Sequence, residues 1–121
     1  MTPILLTASV KHGEALRFYR DVMGFALVDD NPFSFEFDAA GTMLRVQKVE
    51  SFVPHPFTAV GWRVEDIAAA RDRLADRGAV FLRFEFMEQN ERGIWTAPGG
   101  ARVCWFKDPD GNTLSLTQWD G

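Results

Sequence analysis

Cysteine occurs once in this chain of 121 residues, as Cys104. No internal disulfide framework is possible, and a reducing compartment suits the chain. Histidine occurs twice, as His12 and His55. His12 falls at a helix start and His55 in a proline-flanked segment, and both read as exposed or capping residues rather than as metal ligands. Positive charge is outnumbered: 13 Lys and Arg stand against 17 Asp and Glu, for a net charge of -4. With no basic stripe to meet a phosphate backbone, nucleic acid is excluded as an expected partner. Long apolar runs are missing too; nothing approaches the roughly 18 residues of a membrane span. The opening Met1 to Thr7 lacks a basic segment and is followed by Lys11, His12 and Glu14. No secretory leader and a cytoplasmic location are therefore expected.

Aromatic rings are abundant instead. Eleven Phe and four Trp accompany a single Tyr, within a composition 46% hydrophobic and 25% charged. That composition is globular and amounts to one domain. Ile4 to Val10 reads as a strand. His12 to Met23 carries Ala15, Leu16, Phe18, Tyr19, Val22 and Met23 at helical spacing and stops at Gly24. Phe25 to Val28 is extended, Phe33 to Asp38 alternates apolar and polar, and Met43 to Val49 is a further strand. After a proline-bearing linker the pattern restarts. Thr58 to Val64 is a strand, Asp66 an N-cap for a helix closing at Gly78, and Ala79 to Phe86 is extended. Arg102 to Phe106 and Thr113 to Gln118 are strands around the turn Asp108-Pro109-Asp110-Gly111-Asn112, read as local turn chemistry.

The halves match at a constant offset, with Val10 against Val64 and Gly24 against Gly78. The expectation is an α+β fold of two tandem βαβββ modules, residues 1–50 and 57–121, joined by linker 51–56. Each sheet would have one helix-covered and one bare face, and the two are expected to curve together into a cup.

Phe18-Tyr19-Arg20-Asp21-Val22-Met23-Gly24-Phe25, Val64-Glu65-Asp66-Ile67 and Phe106-Lys107-Asp108-Pro109-Asp110-Gly111-Asn112 together resemble motifs of the vicinal-oxygen-chelate superfamily, the glyoxalase, bleomycin-resistance protein and dioxygenase group. The likeness spans essentially the whole chain. It implies a glyoxalase-like fold and often a homodimer. Members include metal-dependent glyoxalase I and extradiol dioxygenases, and metal-free proteins that sequester bleomycin. The positions that carry metal ligands in such members correspond to Leu5, Arg45, Ala59 and Ser115. None is a good divalent-metal donor, so no metal and no cofactor are expected.

If the positions that match the family's ligands face the cup, as the resemblance implies, strand parity places Leu5, Thr7 and Ser9, then Met43, Arg45 and Gln47, then Ala59, Gly61 and Arg63, then Thr113, Ser115, Thr117 and Trp119 there too. Leu44, Val46, Val60, Trp62, Val64, Leu114 and Leu116 form the helix-packed core. The expected ligand-binding set is Thr7, Glu36, Arg45, Gln47, Arg63, Trp95, Trp105, Ser115 and Trp119. Arg45 and Arg63 would meet an anionic oxygen, and the tryptophans would supply an apolar wall. Cys104 reads as a buried filler, and Glu85, Glu88 and Glu91 as solvated surface. The function expected is metal-free binding of a small aromatic or carboxylate-bearing molecule, as in drug-binding resistance proteins. The alternative is a metal-independent lyase or isomerase using Arg45 or Arg63 to stabilise an oxyanion, with Glu36 as base. A degenerate scaffold domain is the third reading.

Overall fold

Leu44, Val46, Leu114 and Leu116 alternate with polar neighbours, and all four are buried in the computed structural model, which describes residues 1–119. The first module runs β1 (Ile4–Ser9), α1 (His12–Arg17), β2 (Ala26–Asp30), β3 (Ser34–Ala39) and β4 (Thr42–Lys48). The second runs β5 (Thr58–Arg63), α2 (Ile67–Asp76), β6 (Trp95–Thr96), β7 (Arg102–Lys107) and β8 (Thr113–Gln118). Each forms its own four-stranded sheet, in the orders β1-β4-β3-β2 and β5-β8-β7-β6. In each, the first strand pairs parallel with the last and the other neighbours pair antiparallel. No helix among the described residues is long and apolar enough to cross a membrane.

The expected cup is not formed. The strands make two separate open sheets, neither closed nor strongly curled. Its physical reason lies at the seam: β1 and β5 approach each other but share no ladder, so no hydrogen bonding carries curvature from one sheet to the next. The bare faces accordingly carry open depressions.

Three local departures matter. The helix expected through Met23 is α-helical only to Arg17, and Phe18–Val22 winds as a π-helical turn, with Met23 N–H donating to Phe18 C=O at 2.9 Å. The wider turn lets Phe18 and Tyr19 both enter the core, edge-to-face at 5.0 Å. Gly24, at φ 79°, then reverses the chain. The stretch Ala79 to Phe86 joins the sheet only through a bridge between Phe81 and Phe106, and the fourth strand is the two-residue β6. Gln89 explains this: its side chain bonds Phe84 N–H, Leu82 C=O and Gly93 C=O at 2.7, 3.1 and 2.8 Å, satisfying groups a ladder would otherwise pair. Finally, Ile4↔Met43, Leu5↔Leu44 and Leu6↔Arg45 set the β1 register. Leu5, Thr7 and Ser9 therefore share the core face with Leu44 and Val46, one residue out of step with the expected parity.

The turn after β7 is more than a turn. Asp108 is buried and accepts four hydrogen bonds, from Tyr19 Oη (2.7 Å), Asn112 Nδ2 (2.9 Å), and the Asp110 and Asn112 amides (3.0 and 2.9 Å). Asp110 Oδ1 accepts from Val10 and Lys11 N–H at 2.7 and 2.9 Å, and Asn112 Nδ2 also donates to Ala8 C=O at 2.9 Å. Lys11, at the N-cap of α1, supplies no capping side chain. The second module therefore caps the first module's helix and holds its β1–α1 corner.

Candidate functional site

On the first sheet, the pairings Ser34↔Gln47, Glu36↔Arg45 and Asp38↔Met43 put these side chains on the face away from the helix. Arg45 Nε donates to Glu36 Oε1 at 3.1 Å, and the pair is half-buried. Among the described residues, the two terminal guanidinium nitrogens of Arg45 have no partner. Arg45, Glu36 and Gln47 line a depression of about 440 Å³ with Asn31, Phe33 and Lys48. Lys48 is itself engaged, bonding Asp30 at 2.6 Å and lying 4.3 Å from the Phe35 ring centroid. Gln47 also lines a second depression of about 320 Å³, bounded by Leu6, Ala8, Ala59 and the linker residues Phe52, Val53 and Pro54. Thr7 borders it as well. The two depressions share Gln47; the first has charged walls, and the second is mainly apolar but also meets His55 and Asn112.

The second sheet's bare face is differently furnished. Gly61↔Ser115, Arg63↔Thr117, Trp105↔Ser115 and Trp95↔Val103 assign its side chains. Trp95 and Trp105 lie 6.2 Å apart, Phe84 meets Trp105 edge-on at 5.6 Å, and Trp105 Nε1 donates to Thr58 Oγ1 at 3.2 Å. Arg63 sits over Trp119, its guanidinium carbon 4.3 Å from the ring centroid. That contact is cation–π and leaves Arg63 without a carboxylate partner among the described residues. Ser115 is buried against Gly61; a Cβ there would stand 2.6 Å from Ser115 Oγ. The expected site residues thus fall into two groups. Glu36, Arg45 and Gln47 share one depression with Thr7 beside it, while Arg63, Trp95, Trp105, Ser115 and Trp119 belong to the other sheet.

A metal does not fit either face. The β1 register puts Leu6, not Leu5, beside Arg45, and Ala59 falls at an irregularity between Thr58 and Val60. Leucine, arginine and alanine donate nothing to a divalent ion, and Ser115 stands alone. No group of three or more His, Cys, Asp or Glu able to hold a metal ion occurs among the described residues. Cys104 is fully buried, and burial pushes its thiol up to about 12, as unsuited to ligation as to nucleophilic attack.

Residue types alone missed the walls of the groove: Leu6, Asn31, Phe33 and the Phe52-Val53-Pro54 segment. The linker's apolar residues were the available signal, since a solvated tether has no need of Phe52 or Val53.

A family model described as the Glyoxalase/Bleomycin resistance protein/Dioxygenase superfamily matches residues 9–116. Among solved structures, the chain is similar to a member of that superfamily from Sphaerobacter thermophilus (23% identity, TM-score 0.75, covering 98% of this chain and 97% of that one). It is similar also to TioX from Micromonospora sp. ML1 (18%, TM-score 0.71, 98% of each chain) and to a lactoylglutathione lyase from Agrobacterium tumefaciens (17%, TM-score 0.74, 98% and 92%). At these identities the likenesses speak to fold alone. Among curated proteins, none matches the chain. The family match spans nearly all of both modules, and the chain belongs to the glyoxalase/bleomycin resistance protein/dioxygenase superfamily.

Proposed function

We propose that this protein binds a small aromatic carboxylate without a metal, along the groove on the first sheet. The observation that carries the reading is Arg45. It spends one donor on Glu36 and keeps two terminal nitrogens for a planar anion, at the charged end of a groove that turns mainly apolar past Gln47. A ring would lie against Leu6, Phe52 and Pro54, burying apolar area while the carboxylate meets the guanidinium. Gln47, common to both depressions, would orient the junction. The bleomycin-resistance branch of the family supplies the precedent for ligand capture as a function.

The enzymatic alternative has less to stand on. Glu36, its nominated base, is already committed to Arg45, and Arg63 faces a tryptophan ring.

Isothermal titration with benzoate and phenylacetate against their neutral amides tests the reading. The acids should bind more tightly than the amides. Arg45→Ala should cost about 1.5–3 kcal/mol of acid affinity, the worth of a hydrogen bond to a charged group, with little effect on the amides. The melting temperature should fall by no more than a few degrees, because a half-exposed ion pair contributes about 1 kcal/mol at most. Equal binding of acids and amides, or a variant that loses stability but not affinity, would overturn it.

A further inference from the structure

Strands line the first depression, but the second is also lined by Phe52, Val53, Pro54 and His55 of the linker. The linker runs between two firm anchors, one on each module. At one end Val49 N–H donates to Ser9 C=O at 3.0 Å, and Val49 C=O lies 3.3 Å from His12 Nε2. At the other, Thr58 enters β5 opposite Thr113, and its Oγ1 accepts from Trp105 Nε1 at 3.2 Å. Between these anchors, among the described residues, residues 50–57 make no hydrogen bond.

A segment without hydrogen bonds is held by packing alone, and its local opening costs little. Here the packing is thin. Phe52 and Pro54 are half-buried, but Val53 is 85% and Phe57 60% exposed. His55 and Phe57 stack with ring centroids 4.8 Å apart, a contact internal to the linker. Pro54 rests by the Asp110–Gly111 turn, where a Cβ on Gly111 would stand 3.5 Å from Pro54 Cγ. Pro54 and Pro56 have a fixed φ and no N–H to donate, so the segment is stiff within itself although loosely held. Leu6 and Val53 line the same depression and both leave large apolar surface in water. A ring bound there would take part of that surface out of water.

We infer that residues 50–57 form a strap that closes on the ring of the bound acid, carrying Val53 out of water, and opens to release it. The inference rests on the groove reading above. It gives the linker a role beyond joining the modules: the ligand enters and leaves only while the strap is open.

Limited chymotrypsin digestion of the whole chain, with initial cuts mapped by mass spectrometry, tests the strap. Proteases cut folded proteins where a segment opens locally, so the free protein should be cut early after Phe52 or Phe57. Benzoate at about ten times its Kd should slow that cut about tenfold, the factor mass action gives when only the free protein opens. Cutting after Phe86, an exposed ring outside the groove, should not respond. Pro56→Gly supplies a second readout, since Pro56 lines neither depression. A looser strap has more freedom to lose on closing, so benzoate affinity should fall about two- to fivefold, whereas a fixed wall would leave it unchanged. A strap that resists cutting in the free protein, or an unchanged affinity in Pro56→Gly, overturns the inference. So does undiminished cutting while calorimetry in the same buffer shows benzoate bound, a result that leaves the groove reading intact. Failure of benzoate to bind at all overturns the groove reading and the strap with it.

Discussion

The two modules share one plan and differ in self-sufficiency. In the second, Asp66 caps α2 from its own N-terminus, accepting from Ala69 N–H at 3.1 Å, and Gln118 from the last strand accepts Ile67 N–H at 2.9 Å. In the first, α1 has no capping side chain of its own and borrows Asp110 from the other module. Their bare faces diverge as well: Glu36, Arg45 and Gln47 make the first charged, while Trp95 and Trp105 make the second aromatic. A repeated fold need not be a repeated site. One half carries its own caps and a ring-lined face, and the other leans on its neighbour for a cap while presenting the charge.

The largest way to break this asymmetry is Asp108→Ala. It strands Tyr19 Oη and the Asn112 amide groups in a buried junction, and should cost about 2–4 kcal/mol in chemical denaturation. An effect under half a kilocalorie would mean the junction is not what holds the modules together. Next come the caps. Asp110→Ala should lose about 2 kcal/mol, since one oxygen serves two amides across modules, and Asp66→Ala about 1 kcal/mol. Equal losses would erase the contrast between borrowed and resident caps.

A smaller effect concerns pH. Burial lifts the Asp108 carboxyl above its ordinary value, against the hydrogen bonds from Tyr19 and Asn112 that pull it down. The folded chain therefore holds that proton more tightly than the unfolded one. This group's stabilising contribution is fully present below the ordinary carboxylate range and is lost as pH rises through the raised folded value. Asp108→Asn, although less stable throughout, should lack that decline; parallel melting curves across the window would contradict the assignment. The smallest effect is an absence of change: native Cys104 should resist alkylation under mildly alkaline conditions and react only on unfolding.

Much of the fold was legible because period and punctuation agree. Leu44 and Val46 alternate as core strands do, and Gly24 and Gly78, both at positive φ, end their helical segments where the repeat places them. What was not legible depended on pairs distant in sequence. The β1 register, which turns Leu6 rather than Leu5 towards Arg45, is fixed by its partner strand and not by β1 itself. The cup failed because closure depends on bonding between β1 and β5, which no single-strand pattern encodes. The Asp108–Asp110–Asn112 junction left a trace that is clear only in hindsight. Helix α1 begins after Val10 and Lys11 with no capping residue, while a five-residue turn elsewhere carries three such side chains. Of the candidate site, Arg45 and Glu36 were readable from parity and charge; the linker's part in the groove was not, because loop placement follows packing.

On the proposed reading, the charged face of the first sheet, and not the aromatic face of the second, should receive the carboxylate. Benzoate titrated into nitrogen-15-labelled protein tests it most directly. Saturable shifts are expected at the Arg45 side-chain Nε–H and the Leu6, Gln47 and Ala59 amides, with the Trp95 and Trp105 indoles unmoved. Shifts confined to those indoles, with Arg45 silent, would contradict it.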